Sequence, residues 1–268
     1  MARAMLRLAA AAAAALVLGA QAALAACQVT VAGGAPGFVP AGFLAAAPAE
    51  HVRIAFAGHA SFMIESPEGV GVFTDYNGVN RPKRLPEIIT MNIFHRTHWT
   101  DVIPEGVVHV LRGWNPAGGV PHHDVTLKDM RVRSVPTNFG EGTGDLGSAG
   151  NSIFIMEAAG VCVVHLSHTH HVLSPAQLMP IKDADVLLVP IDGMWTMSHE
   201  EAFDIIAKVN PRLIIPMHYG SDMSIDQFVG RARAAGFPIG RHPSDTIDVS
   251  LKTLPKTTEI LFLQGNAY

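Results

Sequence analysis

The chain has 268 residues, 49% of them hydrophobic, and a formal net charge of −4 with histidine neutral. That length supports one large domain with a full core. No basic block or aromatic-interleaved basic stripe is present, so nucleic acid is not an expected partner.

In chain order, residues 1–26 come first. Arg3 and Arg7 precede an Ala-rich apolar stretch, and Ala23-Leu24-Ala25 is a small-residue cleavage pattern. This is the form of a secretory signal peptide. The apolar stretch is shorter than the roughly 20 residues that a membrane-spanning helix needs. Leu24-Ala25-Ala26-Cys27 also has the form of a bacterial lipoprotein box. Three fates are open for Cys27: a lipidated N-terminus, a thiol, or a disulfide to Cys162, the only other cysteine. An oxidising compartment permits the last. Cys162 lies in a strand-like run and reads as a buried, inert thiol. The expected location is periplasmic or secreted, with membrane attachment only through lipid on Cys27.

Residues 27–50, rich in Ala, Gly and Pro, read as a tether, and residues 51–268 as the folded domain. Short alternating or apolar runs predict strands at 52–56, 61–65 and 70–75. Further strands are expected at 88–91, 107–111, 125–127 and 131–135, then a hairpin of 151–157 and 161–166 around Ala159-Gly160. The second half alternates helix and strand. Ser174-Pro175-Ala176-Gln177 and Ser198-His199-Glu200-Glu201 are capping boxes that open helices. Ser224 is expected to cap a third, which Gly236 ends. Strands are expected at 186–190, 213–217 and 260–263.

The histidines stand at the ends of these runs. His95 and His98 follow the strand at 88–91, in Ile93-Phe94-His95-Arg96-Thr97-His98-Trp99-Thr100-Asp101. His165, His168, His170 and His171 follow the hairpin, and His218 follows the strand at 213–217. Neutral imidazole is the commonest metal ligand, and a catalytic zinc keeps an open position beside three protein ligands. His95, His98, His168 and His218 are the candidate ligands, with Asp101 and His170 as candidate catalytic groups. A bound metal lowers the pKa of its water to about 7 and polarises an ester, lactone or phosphodiester oxygen. Asp75 and Asp192 end apolar strands, where acids orient metal-bound histidines or cap the next turn. His59, beside Gly58, is read as lining the site. Gly140-Glu141-Gly142-Thr143-Gly144 reads as a surface loop, with a mobile loop over the site as the alternative.

Taken in order, these stretches resemble the metallo-β-lactamase superfamily, on its lactonase-like, UlaG-type branch of metal-dependent hydrolases. The matching pieces are IAFAGHASFMIE, VFTDY, MNIFHRTHWTD, VRSVPTN, NSIFIME, VCVVHLSHTHH, VLLVPIDGMWTMSHEEA and LIIPMHYG. The resemblance implies an α/β fold, an αββα four-layer sandwich with a metal site at one edge between the sheets. It also shows departures. Against the family signature HxHxDH, Ile93 replaces the first His and Thr97 the Asp. Asn138 stands where the family has a His, and His168 where it has an Asp. With the bridging carboxylate gone, one Zn²⁺ is expected rather than two, and Asn138 becomes a supporting group. The expected activity is exported, zinc-dependent hydrolysis of a small-molecule or lipid-derived substrate. The alternative is a non-catalytic envelope lipoprotein that keeps the fold and binds metal or ligand.

Overall fold

The computed structural model describes residues 46–138 and 149–265. The signal peptide, most of the tether, Cys27 and the Gly140–Gly144 segment lie outside the described residues. Among the described residues no helix is long and apolar enough to cross a membrane.

Two sheets face one another. The first contains β1 (Val52–Gly58), β2 (Ser61–Glu65), β3 (Gly71–Phe73), β4 (Ile88–Met91), β5 (His109–Arg112) and β13 (Thr246–Val249), in the order β13-β1-β2-β3-β4-β5. The second contains β6 (Asp124–Leu127), β7 (Met130–Asn138), β8 (Ala149–Ala158), β9 (Val161–His165), β10 (Val186–Pro190), β11 (Leu213–Met217), β12 (Ile239–Arg241) and β14 (Glu259–Phe262). Its order is β12-β14-β11-β10-β9-β8-β7-β6.

Side-chain alternation sets the layers. In the first sheet Ile54, Phe56, Phe62, Ile64, Val72, Ile88 and Leu111 point into the main core. Their strand neighbours Met63, Phe73, Ile89 and Met91 point the other way, into a smaller cluster with Tyr76 and Trp114. A period of two puts successive residues on opposite faces, so this sheet is apolar on both. Loop residues Trp99 and Ile103 pack against that outer cluster. In the second sheet, β10 and β11 are buried at every position and pair in parallel. Parallel strands covered on both faces read as unbroken apolar runs, which is what VLLVP and LIIPM are.

The three α-helices among the described residues, α1 (Pro175–Leu178), α2 (His199–Val209) and α3 (Asp222–Ala234), belong to the second half, with a 3-10 turn at Met179–Ile181 following α1. Both expected capping boxes form: the Ser174 and Ser198 hydroxyls accept from the Gln177 and Glu201 backbone N–H groups. The cap of α3 is Ser221, three residues earlier than the sequence suggests. Ser224 instead turns its hydroxyl back to the Ser221 carbonyl. α2 buries Ala202, Ile205, Ile206 and Val209, one stripe at helical spacing.

Strand direction decides where the ends fall. β1 and β3 both run antiparallel to β2, and β4 runs parallel to β3. The C-terminal ends of β1, β3 and β4 therefore share one edge. In the second sheet β9, β10 and β11 are mutually parallel, so their C-terminal ends share an edge too. Crevices outside such carboxyl ends are where open α/β sheets bind ligands. The two sheets are joined there. The Asn92 carbonyl accepts from the Ser152 N–H at 3.2 Å, and Ile93 bridges to Asn151. Gly113 lies under this crossing, where a Cβ would sit 2.0 Å from the Asn92 oxygen. Only glycine lets the backbones approach this closely.

Cys162 is disulfide-bonded, which corrects its reading as an inert thiol. The sequence has one other cysteine, Cys27.

Candidate metal centre

Each of the converging strand ends delivers a polar side chain. His59 follows β1, Asp75 follows β3, and His98 lies on the loop after β4. His168 follows β9, Asp192 follows β10, and His218 follows β11. At four of these turns a non-glycine residue takes a left-handed conformation: His59 (φ 54°), Asp75 (φ 54°), Ser167 (φ 59°) and His218 (φ 50°). Such backbones are costly and concentrate where function over-determines them. Here they turn the chain sharply off the strand so that the side chain points back over the sheet edge. The His218 N–H donates to the His59 carbonyl at 2.7 Å, tying the two sheets together beneath the rings. The His165 Nε2 contacts the Ala60 carbonyl at 2.7 Å from within β9, which makes His165 a buried structural tie.

His59, His98 and His218 each place one ring nitrogen within 4.8 Å of the others'. Their rings are 5.0 Å (His59–His98), 4.2 Å (His59–His218) and 5.3 Å (His98–His218) apart, centroid to centroid. Two are held from behind by carboxylates. His98 Nδ1 lies 2.7 Å from Asp75 Oδ2, and His218 Nδ1 lies 3.0 Å from Asp192 Oδ2. That contact fixes the tautomer with the proton on Nδ1, leaving Nε2 as a lone-pair donor. Both Nε2 atoms, together with His59 Nδ1, are buried and have no hydrogen-bond partner among the described residues. Buried polar atoms are almost always satisfied. Three orphaned imidazole nitrogens facing one another are the donor set of a metal ion, and the residues fit one.

The electrostatics agree. Burial pushes the His59 imidazole down to about 3, reinforced by the neighbouring His218 and His98. Burial, then the same crowding, holds His98 and His168 well below the usual histidine range. These rings stay neutral, as metal ligands must. Complete burial pushes the Asp75 carboxyl up to about 7. Burial also works against the charge of Asp192, but His218, Thr196 and the Met194 N–H outweigh it and keep the carboxylate ionised.

The other candidates are placed as follows. The His168 ring lies 4.5 Å from that of His98 and 5.0 Å from that of His218. Its Nδ1 meets His170 Nε2 at 2.6 Å, so these two act as a pair beside the triad. His95 is exposed, its Nδ1 bonded to Thr97 Oγ1 and its ring 5.8 Å from that of His98. The reason is a tight turn in which the His98 N–H donates to the His95 carbonyl. That turn sends His98 inward to Asp75 and His95 outward. Asp101 is exposed, and among the described residues no hydrogen bond or ion pair joins it to the histidines. Asn138 ends β7 with its Oδ1 buried and unpartnered. The residue that sequence reasoning undervalued is His59. Its one signal is Gly58-His59-Ala60 between two apolar strands.

Asp75→Asn is expected to weaken metal binding about 10–100-fold, the range for losing a carboxylate behind a ligating histidine. A competition titration against a chelator measures it; unchanged affinity would remove Asp75 from the site.

The comparisons with known proteins point the same way. The family model described as a beta-lactamase superfamily domain matches residues 53–218. A metal-dependent hydrolase of Opitutus terrae is 26% identical over 228 residues, covering 74% of this chain and all of that protein. A Thermotoga maritima structure, described as a candidate Zn-dependent hydrolase of the metallo-β-lactamase superfamily, is 26% identical. It covers 80% of this chain and 100% of that one, with a TM-score of 0.59. The metallo hydrolase Igni18 of Ignicoccus hospitalis, at 18% identity, covers 75% of this chain and 99% of its own with a TM-score of 0.53, a likeness of fold alone. With the family model spanning both halves of the histidine centre, the chain belongs to the metallo-β-lactamase superfamily, among its metal-dependent hydrolases.

Proposed function

We propose that this chain is an exported zinc hydrolase that cleaves an ester, lactone or phosphodiester bond of a small or lipid-derived substrate. The observation that carries this reading is the trio of orphaned ring nitrogens on His59, His98 and His218, two of them backed by carboxylates. Nitrogen donors favour zinc over magnesium or calcium. Three protein ligands with a fourth position open is the arrangement of catalytic rather than structural zinc. When bound, such an ion activates water near neutral pH and polarises the bond to be cleaved.

The chain's own residues do the rest. Asp75 and Asp192 keep two imidazoles in the ligating tautomer. To the His168–His170 pair, which shares a 2.6 Å contact and in which His170 is partly exposed, we assign proton relay between the site and solvent. A single ion is expected, because His168 stands where a bridging carboxylate would be needed for two. Export rests on the leader at 1–26, and the mass of the mature N-terminus reads the cleavage point and whether Cys27 carries lipid, a modification that would exclude a disulfide to Cys162.

Bound metal should be measured by mass spectrometry on protein purified without a histidine tag or added metal. Stoichiometric zinc is expected. Iron would replace the hydrolase by a redox reading, and no metal even after zinc is offered would overturn the site. Chelator-sensitive turnover of a simple ester separates the enzyme from the non-catalytic lipoprotein alternative.

A further inference from the structure

The loops that carry the metal centre also carry large apolar side chains in water. Phe94, beside His95, is 63% exposed; Val172, after His171, is 52%; Met194 and Trp195, just after Asp192, are 78% and 71%. Tryptophan is rarely left this open, and large apolar side chains exposed on the loops of one site point to a binding role.

The Met194-Trp195 tip is built rather than loose. Asp192 Oδ1 accepts from the backbone N–H groups of Met194, Trp195 and Thr196, while its Oδ2 faces His218. One carboxylate therefore positions both a metal ligand and the apolar tip. Gly193 takes φ +70°, and a Cβ there would come within 3.0 Å of the His199 ring. His199 in turn contacts the Ile191 carbonyl at 2.9 Å, locking the base of the tip. On the loop that carries His95 and His98, Phe94 is stacked on Trp99 at 4.4 Å, and Trp99 meets Trp114 edge-on. Both lips are thus held by packing or hydrogen bonds; no charged side chain falls within residues 193–197, while Arg96 stands exposed beside Phe94 and His95.

We propose that this lip seats the alkyl chain of an acyl ester, so that the substrate class is a carboxylic ester with a long apolar acyl group. This deepens the hydrolase reading and rests on it. The ester's acyl C–O bond breaks, water supplies the oxygen retained by the acid, and the products are a carboxylate, an alcohol and one proton. The alkyl chain lies on the lip while the carbonyl reaches the histidines.

The test uses the zinc-loaded full-length mature protein and p-nitrophenyl esters from acetate to laurate. The expected result is kcat/KM rising with chain length, by up to about fourfold per added methylene. Trp195→Ser should flatten that slope with its zinc content intact. Independently of turnover, laurate should shift the tryptophan emission of the wild type to the blue, and Trp195→Phe should lose that shift. Cleavage of acetate and laurate esters at equal efficiency would overturn the proposal and leave the hydrolase standing. No ester cleavage by zinc-loaded protein would remove the hydrolase reading itself, while the laurate shift would still report the lip. A blue shift with phosphatidylcholine vesicles but not with laurate would make the lip a membrane contact. A dimer dissociated by Trp195→Ser would make it a subunit interface. Either result overturns the proposal.

Discussion

His98→Ala and His218→Ala will each yield a folded protein that no longer retains metal. Both rings are nearly buried, and each presents a free Nε2 to the same point, so removing either leaves two donors where three were. Losing only the hydrogen-bond partner of a ligand costs about 10–100-fold in affinity. Losing the ligand itself should cost at least about a hundredfold and reduce occupancy to trace levels. Hydrolysis should fall with it. His95→Ala is the comparison, since the resemblance to the family places His95 among the ligands and the geometry turns it outward. Metal content by mass spectrometry, with circular dichroism as the check on folding, decides each case. Full occupancy in either of the first two variants would break the triad at that position, whereas loss of metal in His95→Ala would bring His95 back into it.

Metal-free protein will lose stability steeply in mild acid. The sign follows from the proton inventory. His59, His98 and His168 have folded-state pKa values lowered below the unfolded value near 6.5. Their neutral forms are compatible with the fold, and the unfolded chain takes up protons that the native state refuses. Stability from these groups is present above about pH 6.5 and is lost as the pH falls toward their folded values. Asp75 has the opposite sign. Its carboxyl is raised to about 7, so its contribution is complete below the ordinary aspartate range and fades as the pH rises. His165, His170 and His171 are lowered in the same sense, and Asp185 is raised like Asp75, so lowered imidazoles outnumber raised carboxyls and the chain takes up protons on unfolding. Each net proton is worth about 1.4 kcal/mol per pH unit, so stability should fall markedly between about pH 6.5 and 5. Urea titrations of chelator-treated protein across that range measure it. A flat profile would mean that the rings titrate freely in the folded state.

Much of the architecture was legible because the core strands are simple. Runs such as VLLVP and LIIPM contain nothing to pair with water, and they form β10 and β11 with the expected bounds. The capping boxes at Ser174 and Ser198 carry their own hydrogen-bond geometry and are local facts. The strands β12 and β13 were not seen, because IGR and TIDV are short and only partly buried. They exist by pairing with β14 and β1. The cap of α3 was misplaced because two serines three residues apart satisfy the same local rule, and only the turn after His218 chooses between them.

The site was legible in part for the same reason. His98, His168 and His218 stand after recognisable strands, and Asp75 and Asp192 end others, so their convergence followed from topology. His59 did not stand out because a single histidine in a two-strand turn has no partner in sequence. Its neighbours come from the opposite sheet. Asp101 was attractive for its spacing from His98, but spacing in a loop does not fix direction. The residue that does sit behind His98 is the distant Asp75.

The 2.7 Å bond from the His218 N–H to the His59 carbonyl has a consequence for the order of events in the molecule's life. His59 and His98 come from the first sheet and His218 from the second, so no segment of the chain holds the donor set alone. Neither half made separately holds the three facing nitrogens, and a growing chain acquires the complete set only when both sheets have formed. Assembly of the sandwich has to precede metallation, and the ion, arriving last, rivets the two halves at the edge where their backbones already touch.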